Sequence, residues 1–104
     1  MNVKWFLGAK VAMRQTARYI RGQFGNRSSQ EFLRKVMHTE QLLREHPHLG
    51  PLEPLLADMT KTYRSIVIQK VNKLVYYIEG DTIHIADFWD VRREPKKLAE
   101  QVKE

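Results

Sequence analysis

The sequence contains no cysteine. Disulfides, thiolate metal sites and cysteine nucleophiles are therefore excluded. No apolar run approaches the roughly 18 residues that a membrane span needs, so no membrane contact is expected. Met1 to Phe6 is too short and too mixed for the apolar core of a secretory signal, and a cytoplasmic location is expected. No linker, internal repeat or low-complexity run divides the 104 residues. That length predicts one domain, residues 1–104, able to bury a core without covalent staples.

Acidic residues are scarce in the first half. Residues 1–50 hold nine Lys and Arg against Glu31, Glu40 and Glu45, which accounts for the whole net charge of +6. Residues 51–104 carry nine of each sign. A basic half joined to a neutral half points to an acidic partner met on one face. Nucleic acid and an acidic protein segment both fit, and so does a solvated surface kept for solubility.

Two periodicities organise the chain. Asn2–Phe6 alternates weakly and reads as a short first strand. From Leu7 the period is helical: Ala9, Met13, Ala17, Ile20 and Phe24 fall within an arc of roughly 80°. Lys10, Arg14, Arg18 and Arg21 occupy the neighbouring arc as a cationic ridge. Gly25-Asn26 ends that helix. Ser28 to Glu31 reads as a capping box opening a second helix, with Phe32, Leu33, Val36, Met37 and Leu43 on its apolar face. His46-Pro47 and Gly50-Pro51 stop it. A loop of about three residues makes the two helices an antiparallel hairpin.

The second half has strand composition. Thr62–Lys70, Lys73–Glu79 and Thr82–Trp89 are rich in β-branched and aromatic residues. Gly80-Asp81 is a two-residue turn with Gly first, the type II′ pattern. Leu52–Leu56 reads as an additional edge strand weakened by Pro54. The expected fold is α+β: an N-terminal strand, a helical hairpin, then a three- to four-stranded antiparallel meander.

The turn pairs Glu79 with Thr82 and places Tyr77 opposite His84. Leu74, Tyr76, Ile78, Ile83 and Ile85 then form an apolar face turned to the helices. Lys73, Val75, Tyr77, His84, Ala86 and Phe88 turn outward. Pairing Lys70 with Lys73 sets Arg64 opposite Glu79, on that outward face. Arg64, Tyr77 and His84 together would form a floor for phosphate, or an ordinary half-exposed surface. His38, His46 and His48 lack a carboxylate at ligand spacing, so neither metal nor cofactor is expected. Trp5 and Trp89 read as packing residues, and Lys96–Glu104 as a short mobile helix free to dock on a partner.

The succession Tyr63-Arg64-Ser65-Ile66-Val67-Ile68, Lys73-Leu74-Val75-Tyr76-Tyr77-Ile78, Ile83-His84-Ile85 and Asp87 to Pro95 (DFWDVRREP) resembles the RelE/ParE toxin superfamily. The upstream strand and helical hairpin agree with it. The resemblance implies the toxin of a type II toxin–antitoxin pair, of the kind also called plasmid stabilisation proteins. Its implied partner is a cognate antitoxin, with an acidic or amphipathic segment that wraps the toxin. Lys10, Arg14, Arg18 and Arg21 are the expected contacts for that segment or for nucleic acid. A homodimer or a hetero-oligomer with antitoxin is the implied assembly.

Family members differ in target: some cut ribosome-bound mRNA without metal, others poison DNA gyrase. For cleavage the resemblance points to Arg64 and Arg92 as groups stabilising charge, with Lys73, Tyr77 and Arg93 binding phosphate or target. The family's late Tyr or His is missing after Trp89, and a further basic position is Ile66 here. His84 can take the vacant acid–base role, since imidazole titrates near pH 6.5. The incomplete set leans toward the gyrase type. A small basic nucleic-acid-binding or protein-interaction module of the same fold, without toxicity, is the alternative.

Overall fold

A computed structural model describes residues 1–69, 72–90 and 100–102. Its elements are β1 (Asn2–Trp5), α1 (Leu7–Phe24), α2 (Asn26–Glu45), a 3-10 turn (Pro54–Leu56), β2 (Tyr63–Gln69), β3 (Asn72–Glu79) and β4 (Thr82–Asp90). The strands form one sheet in the order β1-β4-β3-β2. The meander β2-β3-β4 is antiparallel, as expected. β1 joins the open edge of β4 in parallel, so the sheet is mixed. Gly80 has φ +62°, and among the described residues only glycines take positive φ, which agrees with the type II′ turn.

The hairpin between the helices is tighter than its sequence indicates. Gly25 alone forms the turn, with φ 94° and ψ 170°, a region essentially reserved for glycine. Reversal within one residue puts Ser28 inside the first helical turn, so the capping box does not form. Ser29 instead donates from Oγ to the Ala17 carbonyl at 2.9 Å, a buried bond that ties the helices together. Glu31 pairs in solvent with Arg27. Ala9 and Ala17 are buried in α1, but Phe24 is 69% exposed. It stands at the tip of the hairpin, beyond the covered part of the stripe.

The edge strand expected at Leu52–Leu56 is a single bridge. Leu52 opposes Arg64, flanked by bonds from Glu53 N–H to the Tyr63 carbonyl and from Ser65 N–H to the Pro51 carbonyl. Pro54, with no N–H and a fixed φ, turns the chain out of the ladder.

Register decides which residues share a face. β3 and β4 pair as expected from Glu79↔Thr82 to Tyr76↔Ile85. Val75 then pairs with Asp87, so Ala86 is an extra residue in β4. This bulge turns Phe88 to the helix side, opposite Leu74, and Trp89 to the other. The sequence alternation had placed Phe88 outward. β2 differs more. Tyr63 pairs with Tyr77, Arg64 with Tyr76 and Ile66 with Leu74, and Gln69 pairs with Asn72 after an irregularity. Relative to the pairing expected from Lys70↔Lys73, this is a shift of three residues, an odd number that inverts the faces. It lets Ile66 and Ile68 join the core under the helices, and Arg64 goes with them.

Among the described residues two apolar clusters result. The helix-side core includes Phe32, Val36, Leu43, Leu74, Tyr76, Ile83, Ile85 and Phe88. The outer face has its own cluster of Leu56, Tyr63, Val75, Tyr77, Trp89 and Val102. Val102 is buried there, so the described end of the expected mobile tail packs on the chain's own sheet.

Candidate functional site

Arg64, Tyr77 and His84 do not share a face. Arg64 lies on the helix side at the end of β2, half-buried, and donates from Nη1 to the Gly50 carbonyl at 2.9 Å. The Tyr76 hydroxyl completes this latch, donating to the Pro47 carbonyl at 2.8 Å and accepting from Gly50 N–H at 3.0 Å. Burial raises the Tyr76 pKa, keeping its proton in place for that bond. A Cβ on Gly50 would lie 2.6 Å from the Ser65 carbonyl and 3.0 Å from the Tyr76 ring. Gly50→Ala is therefore expected to cost about 1–3 kcal/mol through overpacking, measured by urea unfolding. A neutral result would remove the latch from the account.

The latch fixes where Glu53 goes. Glu53 is 3% exposed, and its carboxylate holds the Lys73 ammonium in an ion pair and accepts from Leu55 N–H at 2.9 Å. Burial opposes ionisation of Glu53. Hydrogen bonds from Lys73, Leu55 N–H and Ser65 together outweigh it and hold the pKa below the usual carboxylate value. Lys73, expected as an open phosphate ligand, is thus engaged by a buried acid. Sequence reading missed Glu53, although a carboxylate beside two prolines, 20 residues from the only cation opening β3, was a usable signal.

A pH dependence follows. Because Glu53 has a lower pKa folded than unfolded, its contribution is fully present above the unfolded value. It is lost as pH falls through the folded value. Stability measured by urea unfolding is expected to fall from pH 6 to pH 3, and less steeply in Glu53→Gln than in the wild type. Equal slopes would show that Glu53 carries no linkage.

On the outer face, Tyr63, Tyr77, His84 and Lys4 form one row across all four strands. His84 stacks on Tyr77 at 4.8 Å and 15°. Tyr63 and Phe6 meet the Tyr77 ring edge-on at 5.5 and 6.3 Å. The Lys61 ammonium lies 4.8 Å from the Tyr77 centroid and bonds Glu79 at 3.0 Å, which lowers the Glu79 pKa. Tyr77 is only 7% exposed. The expected phosphate floor is therefore mostly a closed aromatic cluster, with His84 and Lys4 at its open side. Arg92 and Arg93 lie outside the described residues. Among the described residues no three His, Asp or Glu side chains gather as metal ligands.

Lys10, Arg14, Arg18 and Arg21 are all exposed along α1, as their arc requires. On another side of α1 a groove runs between the helix and the sheet. Its larger part, about 630 Å³, lies between Thr16, Tyr19, Ile20 and Phe24 on α1 and Gln69, Asn72, Phe88 and Asp90 on the sheet.

No protein-family model matches the sequence, and no curated protein matches it. Solved structures do match by fold. A chain of the chromosomal ParDE TA system from P. aeruginosa aligns with a TM-score of 0.71 at 14% identity, over 88% of this chain and 96% of that one. A YoeB/ParE toxin from Agrobacterium tumefaciens gives 0.60 at 19% identity, over 86% of this chain and 98% of that one. The YoeB dimer from Staphylococcus aureus gives 0.58 at 20% identity, over 86% and 94%. At such identities the likeness is one of fold, and that fold is RelE/ParE-like.

Proposed function

We propose that this chain, built on the fold of ParE and YoeB toxins, is the toxin of a type II toxin–antitoxin pair. The match to a chain of a ParDE system over nearly its whole length carries the reading. The exposed ridge of Lys10, Arg14, Arg18 and Arg21 supports an acidic antitoxin as partner. The toxin acts in the cytoplasm by binding its target, of which DNA gyrase is favoured over ribosome-bound mRNA. Arg64 and His84 stand on opposite faces of the sheet, and Lys73 is engaged by Glu53. A cleaving set needs these groups preorganised around one phosphate, and they are not. The alternative, a non-toxic nucleic-acid-binding module, receives less support because Tyr63, Tyr77 and Trp89 are buried rather than open for base stacking.

Induction of the chain alone in a bacterial host is expected to stop growth, and co-expression of the adjacent antitoxin frame to restore it. Arg14→Glu with Arg18→Glu should lower the association rate of that antitoxin by about tenfold or more. The loss should be largest at low salt, where exposed charges are least screened. Unimpaired growth with abundant folded protein would overturn the toxin reading.

A further inference from the structure

The larger part of the groove has a polar floor. Gln69, Asn72 and Asp90 pair across β2, β3 and β4 as one row. Two residues along their strands from Asn72 and Asp90, Leu74 and Phe88 belong to the helix-side core. Strand alternation therefore puts the row on the helix side as well, where apolar residues would extend that core. Asn72 is 6% exposed and lines the cavity. Among the described residues its carboxamide has no hydrogen-bond partner. A buried amide without a partner is destabilising, so its place at the floor of a cavity points to a ligand that bonds it.

α1 supplies the opposite wall. Gln15 adds another carboxamide. Thr16 donates its hydroxyl proton to the Ala12 carbonyl at 3.0 Å, which leaves the oxygen free to accept. Tyr19 and Phe24 line the same cavity and stand 63% and 69% exposed. The volume, about 630 Å³, is that of a small-molecule site. Among the described lining residues none is Lys, Arg or His. The cationic ridge does not reach round to it: successive steps put Arg14 roughly 160° about the helix axis from Ala12. The lining thus suits a flat, uncharged group with donors and acceptors on its edge, and it offers a phosphate no counter-charge. A metal ion fares no better, since no three ligating side chains gather among the described residues.

We propose that this cavity binds a nucleobase whose edge sets an amino donor beside a ring acceptor, as adenine does. Asn72 reads that edge with both halves of its carboxamide, Gln15 and Gln69 bond the groups that remain, and Tyr19 and Phe24 cover the ring. Asn and Gln make this two-point match to the N6 and N7 of adenine, and aromatic faces stack on a base whatever its sequence context. The inference goes beyond the toxin reading and does not rest on it.

The test titrates adenosine, inosine and an oligo-adenylate of about eight nucleotides into the folded chain, following amide shifts. Adenosine is expected to saturate, with shifts at residues 15–24, 69, 72 and 88–90. Inosine, with a carbonyl in place of the amino group, should bind at least about tenfold more weakly. Asn72→Leu should weaken adenosine by at least about tenfold. Its urea midpoint should be unchanged or higher, because an apolar side chain replaces an unpaired amide. Phe24→Ala, at an exposed position, should keep the wild-type circular dichroism and weaken adenosine by about tenfold through lost stacking. The oligonucleotide separates the two sources of a base. Tighter binding in the same cavity that falls steeply with salt assigns the base to a strand; equal affinity, indifferent to salt, assigns it to a free nucleoside. No saturable shifts with adenosine, shifts mapping elsewhere, inosine bound as well as adenosine, or wild-type affinity in Asn72→Leu would overturn the proposal. A marked fall in the Asn72→Leu urea midpoint would show an amide bonded within the fold, and would overturn it too.

Discussion

Glu53→Ala is expected to destabilise the chain by about 3–5 kcal/mol, because it leaves the Lys73 ammonium without its partner in a buried position. The Lys73 side chain is 13% exposed, so water restores little of what the carboxylate supplied. Domains of this kind are stable by about 5–15 kcal/mol, and the variant should approach the threshold of unfolding at 37 °C. Glu53→Leu combined with Lys73→Met removes both charges and should be close to neutral. The contrast between the single and double variants is the informative quantity, read from urea midpoints with unchanged slopes. A loss below about 1 kcal/mol in the single variant would match an exposed surface pair instead.

Phe88→Ala should cost about 3–5 kcal/mol, the range for deleting a buried aromatic ring. Phe88 meets Phe32 of α2 edge-on at 5.8 Å, so the change also removes a direct link between the sheet and the second helix. The effect depends on the Ala86 bulge. Deleting Ala86 would let Asp87 follow Ile85 in simple alternation, which keeps Phe88 on the helix side and Trp89 on the outer face. That deletion should therefore cost less than Phe88→Ala, as read from urea midpoints. A deletion as costly as Phe88→Ala would contradict this register.

These residues mark where sequence reading ends. The helices, the three meander strands and the Gly80-Asp81 turn were legible because each is specified locally, by a period, a composition or a glycine. Register across β2 and β3 was not. It depends on how Gln69 and Asn72 close the hairpin and on burial of Ile66 and Ile68, and a shift of odd length inverts every side chain. Arg64 therefore changed from an expected outward ligand to a clamp on Gly50. The bulge at Ala86 left no mark in composition, since alanine suits either face. Glu53 was hidden for a related reason: its partner is 20 residues away and meets it only after Pro54 ends the edge bridge. The α1 ridge was fully legible, because exposed charge on a helix follows from spacing alone.

Under the proposed function, this chain acts by holding a target and not by cutting RNA. The most direct measurement follows cells for the first minutes after induction, scoring ribosome-bound mRNA ends and gyrase-linked DNA breaks in the same culture. The expected result is intact mRNA with accumulating gyrase-linked breaks. New mRNA 5′ ends at ribosomal positions, lost when His84 or Lys73 is replaced, would contradict it.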